Sequence, residues 1–189
     1  MSSIEELVAS ASHDMFNPVL NFDIAKKYEE LNQTASAVSF YLRAAEYGYE
    51  SHPLIAYTSL LRMSECFHDQ RDRVHTVTNC ILQAISHVPN RPEGYFFLSR
   101  FHERAGQWQE AYTFACIGLL FSKLELEPLP MNVDYHGEYC LLFEKAVAGW
   151  WVGRKDESRV IFEQVLALDI KDEYRSAIQN NLARIHDSV

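Results

Sequence analysis

Eight histidines, four cysteines and twenty-six acidic residues are the side chains from which this 189-residue sequence could build a catalytic or metal site. Metal chemistry needs ligands at helical or loop spacing, such as H-E-x-x-H on one helix face or paired C-x-x-C steps. His102-Glu103 is not followed by a second histidine four residues after the first, and Cys66, Cys80, Cys116 and Cys140 are widely separated. Each cysteine sits inside an apolar helical pattern, which predicts reduced, buried thiols. His68 and His102 are 34 residues apart and occupy the same place in two similar segments, a sign of packing. Gly48, Gly94, Gly106, Gly118, Gly137, Gly149 and Gly153 are all isolated, so no glycine-rich loop is available to cradle phosphate. No catalytic residue, metal site or cofactor is expected.

Charge narrows the binding possibilities. A formal net charge of −9 disfavours nonspecific attraction to phosphate backbones and anionic lipid, so neither nucleic acid nor membrane is an expected partner. No run of 18 apolar residues could span a bilayer, and the stretch from Met1 to Phe16 is acidic, without the basic start and apolar core of a signal peptide. The expected location is cytoplasmic.

The elements that position the remaining polar residues follow from punctuation. Pro18, Pro53, Pro89, Pro92, Pro128 and Pro130 lie between periodic apolar segments, leaving those segments free to form helices. Asn21, Ile24, Ala25 and Tyr28 share one helical face; after a polar turn at Asn32 to Thr34 come Ala37, Tyr41 and Ala44. The pattern returns with Tyr95, Leu98, Ser99 and His102, a turn at Ala105-Gly106-Gln107, and then Ala111, Ala115 and Gly118. Between these, Leu61, Ser64 and His68 lead to Val77, Ile81, Ala84 and Pro89. A fourth unit runs from Leu142, Ala146 and Gly149 through Gly153-Arg154-Lys155 to Ser158, Phe162 and Val165. Equivalent residues stand 40, 34 and 47 apart (21 to 61, 61 to 95, 95 to 142), which places insertions after the first and third units. The expected organisation is an N-terminal extension over 1–15 and one domain over 16–189. Its repeats lie at about 18–51, 54–90, 92–120 and 138–169, with a capping helix at about 172–186 that is polar on one face.

These residues resemble the tetratricopeptide repeat, W-x2-L-G-x2-Y, then A-x3-F, then P, over about residues 18 to 185. Glu65 and Lys145 depart from the pattern where small or apolar residues are usual. The resemblance implies an all-α, right-handed α-solenoid of helix-turn-helix repeats, about four pairs plus a cap. The run from Arg91 to Tyr112, a proline-containing insertion and Gly149-Trp-Trp-Val-Gly-Arg are also similar to repeat segments that accompany glycosyltransferases in bacteria and cyanobacterial phages. That implies a helper beside such an enzyme, because the Asp-x-Asp step and alternating α/β pattern of the enzyme itself are missing.

Register predicts the lining of a concave groove from the first helix of each repeat. One column is Phe22, Arg62, Phe96 and Phe143; the next is Lys26, Cys66, Arg100 and Val147; an edge column is Glu29, Asp69, Glu103 and Trp150. Lys26, Arg62 and Arg100 beside phenylalanines suit an acidic or aromatic peptide, unless local carboxylates such as Glu29, Glu65, Glu93 or Glu103 neutralise them. Consecutive helix residues diverge by about 100°, so only one of Trp150 and Trp151 can face the core and the other is a candidate anchor. The apolar insertion from Phe121 to His136 is expected to fold back along the repeats. The expected function is a non-catalytic protein-protein interaction module or adaptor binding a peptide or protein. The alternatives are a glycosyltransferase accessory and a self-assembling homo-oligomer.

Overall fold

A computed structural model describes residues 4–68 and 73–186, and among these all regular structure is α-helical. The helices are α1 (Ile4–Ala11), α2 (Pro18–Glu30), α3 (Thr34–Gly48), α4 (Pro53–His68), α5 (Val74–His87), α6 (Pro92–Arg104), α7 (Trp108–Leu119), α8 (Glu138–Trp151), α9 (Lys155–Leu166) and α10 (Asp172–His186). Proline opens α2, α4 and α6, where its fixed φ suits a first turn and its missing N–H removes nothing from the helix. Asn17 caps α2 by accepting from the Leu20 N–H at 3.0 Å.

Three of the turns between paired helices share one mechanism. Asn32, Gly106 and Gly153 have φ of 56°, 70° and 87°, the left-handed conformation that ends a helix most easily at Gly or Asn. The next amide closes a six-residue loop in each case: Gln33 N–H donates to Tyr28 O, Gln107 N–H to His102 O and Arg154 N–H to Gly149 O, at 2.8 to 2.9 Å. Satisfying the last carbonyls in this way lets the chain reverse within a few residues, so that the second helix packs against the first.

Contacts group the helices into two compact units, one of Met1–Asn90 with Leu126–Val133, the other of Arg91–Glu125 with Asp134–Val189. In the first unit α2 packs on α3, α3 on α4 and α4 on α5, while α2 also touches α4. Ile24, Tyr41, Tyr57, Leu61 and Ile81 fill its interior. In the second unit α6 packs on α7, α7 on α8 and α8 on α9, with α6 also touching α8, and α10 closes against α9. Close approach there requires glycine. A Cβ on Gly118 would stand 2.9 Å from both Tyr95 Cβ and Leu141 Cδ2, and one on Gly149 2.8 Å from Ser158 Oγ. The cap buries Ile178 in a cluster with Ala146, Phe162 and Val165, leaving its polar side outward.

Candidate functional site

In the first unit the residues assigned to a groove form an internally satisfied cluster. Phe22, expected as exposed lining, is 2 % exposed, because its ring packs edge-on against Tyr41 at 5.8 Å. Lys26 lies 5.2 Å over the Phe22 ring and is ion-paired with Asp23 at 2.7 Å. Arg62 is ion-paired with Glu29, one of the carboxylates anticipated for it. The Tyr41 hydroxyl donates to Glu29 Oε2 at 2.6 Å and lies 3.7 Å from Met131 Sδ. Met131 belongs to the Leu126–Val133 stretch that groups with this unit, so the insertion does fold back as its apolar character demands. Burial works against the Arg62 charge, but its hydrogen bonds to Glu29 outweigh that and raise its pKa; burial and the same carboxylate push the Tyr41 hydroxyl up. Asp69, assigned to the groove edge, lies outside the described residues.

In the second unit Phe96 is fully buried against Phe97 and Tyr135, again unlike the exposed lining expected of it. Arg100 donates to Asp134 at 3.3 Å and lies 5.7 Å over the Phe96 ring. The anticipated partners Glu93 and Glu103 share its helix, whereas Asp134 arrives with the insertion. Burial alone would raise the Asp134 carboxyl, but hydrogen bonds from His136 and Arg100 hold it below the ordinary carboxylate value. Phe143 packs against Phe162 and Tyr174. Trp150 is the tryptophan that faces the core cluster, with the Lys155 ammonium 4.6 Å over its ring. Trp151 is 61 % exposed and stacks on Trp108 at 5.1 Å, which makes it the outward-facing member of the pair.

The second unit also holds two cavities. One, of about 260 Å³, is lined by Arg100, Glu103 and Arg104 of α6, Phe143 and Glu144 of α8, and Tyr174 of α10. The other, of about 390 Å³, is lined by Glu103, Val147, Trp150, Trp151 and Phe162, with Asn181 and Arg184 of α10. Glu103 borders both. Register thus brings Arg100, Glu103, Phe143, Val147 and Trp150 to the walls of these cavities, while Phe96 is buried in the core.

Sequence reasoning missed Glu144. It is 4 % exposed, and its Oε2 has no hydrogen-bond partner. Burial, reinforced by the Glu103 charge, pushes its carboxyl up to about 8. A carboxylate at a core-facing position of α8, three residues from Leu141 and four from Ala148, was the available signal.

Among the described residues no group of three or more His, Cys, Asp or Glu side chains could hold a metal ion. Burial raises the Cys80 and Cys140 thiols, the opposite of the lowering that activates a nucleophile. Among the same residues no helix is long and apolar enough to cross a membrane.

No family model matches the chain, and no curated protein sequence matches it. Solved structures do. MamA superposes with a TM-score of 0.66 at 12 % identity, over 92 % of this chain and 89 % of that one. YrrB, described as a TPR protein with an unusual peptide-binding site, gives 0.64 at 14 % identity over 88 % and 76 %. TTC0263, a thermophilic TPR protein of Thermus thermophilus, gives 0.61 at 14 % identity over 95 % and 89 %. Identities this low speak to backbone arrangement alone. The chain has the all-α helical-repeat fold of tetratricopeptide-repeat proteins.

Proposed function

We propose that this protein is a non-catalytic interaction module that binds a peptide segment of another protein on the face of the second unit lined by α6, α8 and α10. The observation that carries this reading is the pair of cavities bordered by Glu103, one polar and one walled by Val147, Trp150 and the exposed Trp151. A peptide that places successive side chains in the two cavities would gain an apolar anchor and a polar one, the arrangement that gives small interfaces their affinity. The peptide-binding site named for YrrB supports the general mode. The acidic character expected of the partner loses its basis, because Lys26, Arg62 and Arg100 are each already ion-paired. A glycosyltransferase as the partner rests on sequence resemblance alone.

The test is selection of peptides from a displayed random library on the full chain, followed by measured affinity for wild type and Trp151→Ala. Enrichment of related peptides, with affinity at least about tenfold weaker for the variant, is the expected result, about 1.4 kcal/mol or more. Enriched peptides indifferent to Trp151, or no enrichment over an unrelated helical protein, would overturn it. Light scattering of the chain alone, across concentrations, reads the competing self-assembly.

A further inference from the structure

Among the described residues five buried polar side-chain atoms lack a hydrogen-bond partner, and of these only the Glu144 carboxyl belongs to an acidic side chain lining a cavity. Its side chain reaches the wall of the 260 Å³ cavity from α8, with Oε2 lacking any partner, although an unsatisfied buried polar atom costs folding free energy. Such a carboxyl can be completed by an anion that accepts its proton, or by a cation that replaces it.

The surroundings decide between these. Glu103, Asp134, Glu144 and Glu173 line the cavity against Arg100 and Arg104, and Arg100 is already engaged by Asp134 at 3.3 Å and by the Phe96 ring. With Arg100 and Asp134 paired and Glu144 protonated, Glu103 and Glu173 face Arg104, so an incoming anion meets more negative than positive charge. An incoming cation meets Glu144 and Glu103, together with Phe143 and Tyr174, whose rings stand 5.1 Å apart at 86° and add the attraction of aromatic groups for positive charge. The volume is below the roughly 300–1,000 Å³ of sites that enclose drug-sized ligands, and suits the end of one side chain.

We propose that this cavity receives the ammonium or guanidinium end of a basic side chain, with Glu144 and Glu103 as its counter-charges and Phe143 and Tyr174 as its walls. For the source of that side chain the inference rests on the peptide-binding reading above. The partner segment accordingly carries a lysine or arginine near an apolar residue that enters the Trp150–Trp151 cavity. Binding of the cation turns Glu144 from acid to carboxylate. The proton it releases is the signature of the site, because Glu144 is held up to about 8 and is mostly protonated at neutral pH. The charged and titratable groups facing it are Arg100, Glu103 and Arg104 from α6, Asp134 from the insertion, Cys140 from its own helix, and Glu173 and Tyr174 from α10.

The experiment is calorimetric titration of the full chain at pH 7 with N-acetyl-arginine amide and N-acetyl-lysine amide. N-acetyl-citrulline amide serves as the neutral isostere, and each titration is run in two buffers of different ionisation heat. The expected result is binding of the cationic amides with close to one proton released per site, falling towards zero by about pH 9 as Glu144 ionises unaided. Glu144→Gln and, independently, Glu103→Gln weaken binding by about tenfold or more, and Glu144→Gln abolishes the proton release. Citrulline amide binding as tightly as arginine amide, a cation bound without proton release, or no binding up to about 20 mM would each overturn the proposal. Selected peptides that depend on Trp151 but contain no basic residue would also overturn it while leaving the interaction module standing. Proton-linked binding of arginine amide with no peptide selected would keep the cation site and remove the peptide as its source.

Discussion

Replacing Glu144 with glutamine keeps the shape of the side chain and removes its ability to ionise, so it isolates what the buried carboxyl costs. The carboxyl is held up to about 8 in the folded chain against an ordinary value of 4.5, with burial as the main cause. A raised carboxyl pKa leaves stability untouched below the ordinary value, where folded and unfolded chains are both protonated. As pH rises from 4.5 towards 8 the unfolded chain releases the proton and the folded chain keeps it, so stability falls. The slope is about 1.4 kcal/mol per pH unit, which accumulates to about 3 kcal/mol by pH 7. Glu144→Gln is therefore expected to be more stable than wild type by about 3 kcal/mol at neutral pH, with the gap closing towards zero near pH 4.5. Urea denaturation of both proteins at a series of pH values reads the gap directly, since titrations of all other groups largely cancel in the difference. A gap that is constant with pH, or a variant less stable than wild type at pH 7, would refute the reasoning.

Gly118→Ala places a Cβ 2.9 Å from Tyr95 Cβ and Leu141 Cδ2, and should destabilise the fold by about 1–3 kcal/mol in the same assay. Tyr41→Phe removes the hydroxyl that donates to Glu29 and is expected to cost about 1 kcal/mol, with no pH dependence between 5 and 8. Asp134→Asn should leave wild type the more stable protein at neutral pH. That advantage should fade on acidification, because the group is lowered from its ordinary 3.8 and its contribution is lost as pH falls through the folded value.

Much of this architecture is legible because the repeat depends on a few residue types with narrow physical roles. Pro18, Pro53 and Pro92 mark helix starts, and Gly106 and Gly153 mark reversals where a left-handed residue is needed. The pairing of Arg62 with Glu29 was also within reach, since register places both on neighbouring first helices. Three features were less accessible. Phe22 and Phe96 read as surface because helical register gives a direction but says nothing of what covers it, and Tyr41 and Tyr135 cover them. Arg100 finds its partner 34 positions away in the insertion, a distance no helical spacing rule addresses. Glu144 looks like any helix glutamate until α6 and α10 close around it, so its altered acidity is a property of the tertiary structure alone.

The return of Leu126–Val133 to the first unit changes how this chain can fold. In an uninterrupted repeat array each unit is completed by its immediate neighbour, and assembly can spread from either end. Here Tyr41 meets Met131 across 90 positions of sequence. The first unit thus lacks one of its own segments until α6 and α7 have been made, and emerging N-terminal helices must wait with that surface incomplete. Closing so long a loop slows folding and ties early helices to late sequence, giving a nearest-neighbour architecture one strongly non-local step.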